Sequence, residues 1–220
     1  MIKIAASMMC ADQLTLKNEL DRLAAAKVDL LHCDVMDGLY VPNLAMGPEV
    51  LGAIRQYTII PLDIHLMIIR PERYIDKFTA LRPEYISVHA DATEQLYRVV
   101  TMIKDKGVKA AVALSPSTPL PVIESVLPEL DMVLVMTVDP GFAGQKFIPG
   151  ALKKIKELKQ ICMIKKPDML IEIDGNINSC TIPPAVEAGA NVLVGGTASV
   201  FKGATADYTQ LVQEMRNAAQ

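Results

Sequence analysis

Short apolar runs alternate with longer amphipathic stretches along the whole chain, which predicts a repeated strand–helix unit. The runs fall at residues 2–7, 29–35, 59–67, 85–89, 108–114, 132–138, 169–174 and 191–195. Each is too short for a typical helix, and most are apolar with little interruption. Strands of that kind are covered on both faces, as in a parallel sheet. Between them the spacing predicts helices over 13–25, from Pro48, from Pro71, over 93–106, over 149–160, over 181–188 and from Asp207. A further helix is expected through Val126, introduced by Pro116, Pro119 and Pro121. Asp12 is expected to cap the first helix, and Pro71 suits a first helical turn. Eight such units with no composition shift and no linker predict an α/β fold, a single-domain (β/α)8 TIM barrel over residues 1–220. A doubly wound open sheet is the alternative.

In a barrel the C-terminal ends of all strands face one mouth. Alternate residues of a strand share a face, so His32 and Asp34 point the same way, as do Asp63 and His65 on the next strand. Asp174 closes the seventh strand. Two imidazoles and two carboxylates gathered at one mouth form a plausible shell for a divalent metal of the zinc, iron, manganese or cobalt kind. The plainer reading is that these side chains cap backbone groups there. His89, at the end of the fourth strand, is expected to line the mouth without joining the set. Gly141-Phe142-Ala143-Gly144, Gly175 and Gly195-Gly196-Thr197 follow the last three strands, where barrels commonly hold phosphate through backbone N–H groups. Met36, Met67 and Met136 end three strands near the mouth and are read as core filling or as functional residues. The loop over 38–47 is long enough for a lid. Lys153, Lys154, Lys156 and Lys159 are expected on a solvated helix face.

Composition narrows the function. Of 220 residues 51% are hydrophobic, and the mean hydropathy is +0.27, which suits a well-filled core with room for a subunit interface. A net charge of −3 supplies no basic field for nucleic acid or an anionic membrane surface, so neither is an expected partner. An anionic substrate must then be held by local dipoles. The four cysteines are widely spaced, which suits reduced thiols and a cytoplasmic location. The N-terminal apolar run is cut short by Asp12 and reads as a first buried strand, not a signal peptide. No apolar run approaches the ~18 residues of a membrane span.

Ordered motifs then carry a family resemblance. They are His32-x-Asp34-x-Met36-Asp37-Gly38 with Val41-Pro42-Asn43, Asp63-x-His65-Leu66-Met67, Met136 through Gln145, and Glu172-x-Asp174-Gly175. Together they resemble the ribulose-phosphate 3-epimerase family over essentially the whole chain. Met9-Cys10-x-Asp12, Pro61-Leu62-Asp63-x-His65, Arg70-Pro71 and Asp139-Pro140-Gly141-Phe142-Ala143-Gly144-Gln145 look more like its branch acting on D-allulose 6-phosphate. The resemblance implies one divalent metal per chain, magnesium also admitted, held by His32, Asp34, His65 and Asp174. Asp34 and Asp174 would double as the acid/base pair. Ser7 and His65 would contact the substrate, and Gly141, Phe142, Ala143, Gly144, Gly175, Asn176, Gly196 and Thr197 would hold its phosphate end. Met36, Met67 and Met136 would flank the intermediate. Relatives of this kind form dimers or hexamers, so a homo-oligomer is expected.

Three positions depart from the family pattern: Ala6 stands for a usual proline, Asn176 for a glycine and Thr197 for a serine. They bear on substrate fit and leave the acid/base pair intact. The expected reaction inverts C3 of a phosphorylated ketose through an enediolate. Two carboxylates on opposite faces of a planar intermediate suit that chemistry, since one fixed base reaches only one face easily. D-allulose 6-phosphate is slightly preferred over D-ribulose 5-phosphate. A phosphosugar lyase or decarboxylase is disfavoured because no Asp-x-Lys-x-x-Asp pattern is present, and a non-catalytic sugar-phosphate binder would not need both carboxylates.

Overall fold

The apolar runs pair side by side until the last meets the first. The computed structural model describes residues 2–220. Its strands are β1 (Lys3–Ser7), β2 (Leu30–Asp37), β3 (Leu44–Ala45), β4 (Leu62–Met67), β5 (Tyr85–His89), β6 (Lys109–Leu114), β7 (Met132–Met136), β8 (Leu170–Asp174) and β9 (Val192–Gly195). All but β3 pair in parallel, and β1 bonds to both β2 and β9, which closes an eight-stranded barrel within one domain. The helices are α1 (Leu16–Ala25), α2 (Pro48–Tyr57), α3 (Ile75–Thr79), α4 (Leu96–Asp105), α5 (Gly150–Lys165), α6 (Ile182–Ala188) and α7 (Tyr208–Ala218). Among the described residues no helix is long and apolar enough to cross a membrane.

The strands are apolar on both sides because each side has its own core. Ile4, Leu31, Cys33, Val35, Ile64, Val112, Val133 and Ile173 join the helices in one large cluster. Inside the barrel, Ala5, Leu30, Tyr85, Ala111, Met132, Val192 and Val194 form a separate apolar plug. Burial contributes roughly 1.5–3 kcal/mol for each large aliphatic side chain. This is the term available to offset the polar groups enclosed nearer the mouth: His32, Asp63, Ser87, His65, His89 and Glu172 are all fully buried.

Several boundaries move for local reasons. β2 runs on to Asp37, because the loop after it turns back and pairs Leu44 and Ala45 antiparallel to Asp37 and Met36. Asp12 does not cap α1; it accepts from the Leu14 N–H and the Thr15 hydroxyl and shapes the turn before the helix, which begins at Leu16. The chain from Pro71 makes a 3-10 turn before the short α3. The helix expected through Val126 is absent, replaced by 3-10 turns at Leu120–Ile123 and Leu127–Glu129. Pro116, Pro119, Pro121 and Pro128 crowd this connection, and each lacks the N–H that a longer helix needs. The last helix follows expectation, with Asp207 accepting from the Gln210 N–H.

Arg216 on α7 locks the base of the barrel. Its guanidinium donates to the carbonyls of Ile2 and Lys27 at 3.3 and 3.0 Å and to Asp29 Oδ2 at 2.8 Å. The same Asp29 oxygen accepts from the Ile4 N–H at 2.8 Å. Charge-assisted hydrogen bonds of this kind contribute about 1.5–3 kcal/mol when buried, and solvent screening lowers that at this half-buried site. Arg216→Ala is therefore expected to cost about 1–2 kcal/mol in urea unfolding, with the far end of the barrel unaltered.

Candidate active site at the barrel mouth

Strand register places the chemistry. His32 stands beside Asp63, Asp34 beside His65, and Met36 beside Met67 across the β2–β4 ladder, while Met136 stands beside Asp174 on β7 and β8. The expected ligands converge: one donor atom from each of His32, Asp34, His65 and Asp174 lies within 4.8 Å of all the others. Asp34 Oδ1 is 3.1 Å from His65 Nδ1 and 3.4 Å from His32 Nε2, and Asp174 Oδ2 is 3.9 Å from His32 Nε2. Donors bound at about 2.0–2.2 Å around one cation stand roughly 3–4 Å apart, so these spacings suit such an ion. The donors fit in a second respect. His32 Nε2 is buried and has no hydrogen-bond partner, an expensive state for a polar atom unless something is meant to meet it.

The two imidazoles are oriented from behind. His32 Nδ1 donates to Asp63 Oδ2 at 2.5 Å, which leaves Nε2 facing the cluster. Asp63, paired with His65 by sequence spacing, thus serves His32 on the neighbouring strand. His65 Nε2 lies 2.9 Å from His89 Nε2. His89 is fully buried behind His65 instead of lining the mouth. Asp91, two residues on, repeats the His-x-Asp spacing and is the signal that could have singled it out.

The carboxyls are pushed apart in proton affinity. Burial alone would raise Asp34, yet His32 and His65 beside it hold it well below the usual carboxylate range. Burial, with the charge of Asp34 added, raises Asp174 to about 6. Glu172, whose oxygens are both buried without a partner, is lifted well above the carboxylate range by burial and by Asp63. Burial would lower His32, but Asp34, Asp63 and Glu172 together raise it well above the imidazole range. Burial and the neighbouring His65 depress His89.

Above these groups opens a cavity of about 280 Å³, whose wall includes Ser7, Asp34, Met36, Met67, Met136 and Asp174. Gly141, Phe142, Ala143, Gly144, Gly175, Asn176, Gly196 and Thr197 all line it too. His32 and His65 do not reach that wall. No lysine or arginine among the described residues lines it, so an anion there meets backbone and side-chain dipoles, as the composition implied. Two glycines are sterically required. A Cβ on Gly175 would sit 2.6 Å from Val138 Cγ2, and one on Gly141 would sit 3.0 Å from Val41 Cβ, both at positive φ. Asn176 at φ +53 takes a left-handed conformation that asparagine tolerates, and its amide donates to the Gln145 carbonyl at 2.7 Å. Ser7 donates to Asp34 Oδ2 at 3.1 Å. Met9, Cys10, Asp139 and Gln145 also line the cavity without having been singled out as site residues.

The loop over 38–47 arches beside this opening. Asp37 accepts from the N–H groups of Leu39, Tyr40 and Ile69, and Asn43 donates to the Gly141 carbonyl at 2.8 Å. Lys154, expected among solvated lysines, turns inward and donates to the carbonyls of Ser115, Pro116 and Thr118. Its stem reaches from α5 to the loop after β6, where those carbonyls have no strand partner.

Comparison with known proteins follows the same lines. Residues 3–201 match the model of the ribulose-phosphate 3 epimerase family. A protein named ribulose-phosphate 3-epimerase from Bacillus subtilis (strain 168) is 50% identical over 199 residues, covering 90% of this chain and 92% of that protein. One of the same name from Methanocaldococcus jannaschii is 42% identical, covering 100% and 92%. In three dimensions the chain is similar to a 3-hexulose-6-phosphate synthase, with a TM-score of 0.72 at 16% identity and full coverage of both chains. A phosphoribosyl anthranilate isomerase from Thermococcus kodakaraensis superposes with a TM-score of 0.68 at 13% identity, covering 100% and 99%. At such identities these two likenesses concern the barrel alone.

The raised Asp174 has a consequence for the chelated, metal-free protein. A carboxyl that keeps its proton to about pH 6 when folded and to about pH 4 when unfolded contributes stability that is complete below pH 4. That contribution falls as pH rises through 6, because the folded state binds more protons in this window. Asp174→Asn lacks the term. In urea titrations its stability relative to the parent is expected to improve by about 1–3 kcal/mol between pH 4 and 6 and to level off above.

Proposed function

This chain belongs to the ribulose-phosphate 3-epimerase family of carbohydrate isomerases, and from that premise we propose that it inverts C3 of a phosphorylated ketose with Asp34 and Asp174 as the acid/base pair. The observation that carries this reading is the pair itself. Two carboxyls, three positions apart around the ring of strands, share one cluster and are driven to opposite proton affinities. One is held ionised; the other keeps its proton to about pH 6. Divergent environments of this kind are how a fold assigns base and acid roles to identical groups.

In the proposed cycle one carboxylate takes the C3 proton from one face, leaving a planar enediolate. The other carboxyl delivers a proton to C3 from the opposite face, and the roles exchange for the reverse direction. His32, Asp34, His65 and Asp174 would hold a divalent cation, which supplies positive charge against the developing oxyanion. Asp63 and His89 orient the imidazoles, Ser7 steadies Asp34, and the polarizable Met36, Met67 and Met136 exclude water from the reacting carbon. The phosphate end would lie on Gly141 to Gly144, Gly175, Asn176, Gly196 and Thr197.

D-allulose 6-phosphate, giving D-fructose 6-phosphate, is the slightly preferred substrate, on the loop Asp139-Pro140-Gly141-Phe142-Ala143-Gly144-Gln145. The names of the relatives favour D-ribulose 5-phosphate, giving D-xylulose 5-phosphate. Comparing kcat/KM on the two purified ketose phosphates decides between them: a tenfold advantage for the five-carbon substrate would reverse the preference. In D₂O, deuterium is expected at C3 alone, and label at C1 would instead mark an aldose–ketose isomerase. Asp174→Asn is expected to lower kcat by at least 10²-fold, the usual scale for a lost acid/base group, with KM little changed. Chelation is expected to abolish turnover, and a divalent cation to restore it.

A further inference from the structure

His65 cannot be a metal ligand by position alone; its proton must sit on the correct nitrogen. Nδ1 faces Asp34 Oδ1 at 3.1 Å, and Nε2 faces His89 Nε2 at 2.9 Å. Behind His89 the contacts continue. His89 Nδ1 lies 3.2 Å from Ser115 Oγ, Ser115 Oγ 3.0 Å from the Tyr40 hydroxyl, and Tyr40 donates to Asp91 Oδ1 at 2.9 Å. The other Asp91 oxygen accepts from Thr118 Oγ1 at 3.3 Å.

Such a chain has only two self-consistent directions. An ionised carboxylate only accepts, so the Tyr40 proton is committed to Asp91. Tyr40 then accepts from the Ser115 hydroxyl, Ser115 accepts from His89 Nδ1–H, and the bare His89 Nε2 accepts from His65 Nε2–H. That leaves His65 Nδ1 without a proton, its lone pair aimed at the cluster. In the opposite direction His65 would carry its proton on Nδ1 and present it to Asp34, closing the site to a cation. Tyr40 and Asp91 would then be two acceptors 2.9 Å apart with nothing between them.

We propose that Asp91, Tyr40, Ser115 and His89 form a polarised hydrogen-bond chain that positions His65, placing its proton on Nε2 and directing a bare Nδ1 at the cation site. The proposal rests on the reading of His65 as a metal ligand and extends it to four positioning residues. His32 achieves the same end in one step, through Asp63. His65 does so through four, and the terminal carboxylate stands near the surface, with 46% of its side chain exposed. The ring of Tyr40 lies against that of His89, centroids 4.6 Å apart, and Lys154 holds the Ser115 carbonyl at 2.8 Å from the other side. Tyr40 belongs to the loop tied through Asn43 to Gly141, so the chain also joins that loop to the ligand set.

The chain has three histidines in all, which makes the test direct. In ¹⁵N-histidine-labelled, chelated protein at a pH above the imidazole range, two-dimensional ¹⁵N–¹H spectra report each ring's tautomer. His65 is expected as the Nε2–H form and His89 as the Nδ1–H form. Asp91→Ala, a change at the surface that removes the acceptor of the Tyr40 proton, should mix the tautomers of His65 and His89 and leave His32 unmoved. Tyr40→Phe should act in the same sense. In cobalt titrations of the apoprotein, His89→Ala should weaken binding by about 10–100-fold, the usual cost of losing an outer partner of a metal ligand. His89→Gln, whose amide oxygen can accept from Nε2–H, should recover most of that loss. A parent protein with the His65 proton on Nδ1, or an Asp91→Ala spectrum identical to the parent, overturns the proposal. Equal cobalt affinity in the parent and His89→Ala overturns it as well. If the parent binds no cobalt, the metal reading fails, while the histidine spectra still decide the direction of the chain.

Discussion

The contact between Asp34 and the two imidazoles beside it is the interaction on which the structure depends. A carboxylate enclosed in a barrel loses its hydration, and an isolated one would cost several kcal/mol or take up a proton. Here His32, His65 and the Ser7 hydroxyl surround it, so it stays ionised. The arrangement is costly to assemble and is supported by its setting. An apolar plug lies inside the barrel with it, and the outer faces of the strands are sealed by helices.

The same contact explains why the neighbouring groups differ from one another. Once Asp34 is ionised, a second negative charge at Asp174 is disfavoured, and its carboxyl keeps a proton to higher pH. Glu172 lies deeper and meets Asp63, so it is driven further still. Three acidic residues thus take three proton affinities from burial and from the charged groups beside each. A divalent cation among His32, Asp34, His65 and Asp174 would relieve the crowding of negative charge and give the orphaned His32 Nε2 a partner.

Shape and charge are coupled through the loops. The glycine loops after β7 and β8 approach Val41 and Val138 too closely for any side chain at Gly141 and Gly175. The arch over 38–47 is bound on one side to the glycine loop through Asn43 and on the other to the buried histidines through Tyr40. A change in how that arch sits would be felt at both the glycine loop and the buried histidines.

By itself the sequence determined the strand–helix alternation and the four proposed ligands. Periodicity is a local property, and a barrel brings every strand's C-terminal end to one mouth whatever the details of packing. It overstated the sixth helix, since four prolines outweigh the apolar spacing there, and it misplaced the start of α1, because Asp12 was satisfied by its own turn. Only the tertiary structure decided which partner stands behind each histidine. Asp63 belongs to His32 through the β2–β4 register. His89, Ser115 and Tyr40 meet across separations of 26 and 75 residues. Spacing along one strand reveals which face a side chain takes, but hydrogen bonds between strands depend on register and on loops that close from elsewhere in the chain, and neither is a local property of sequence.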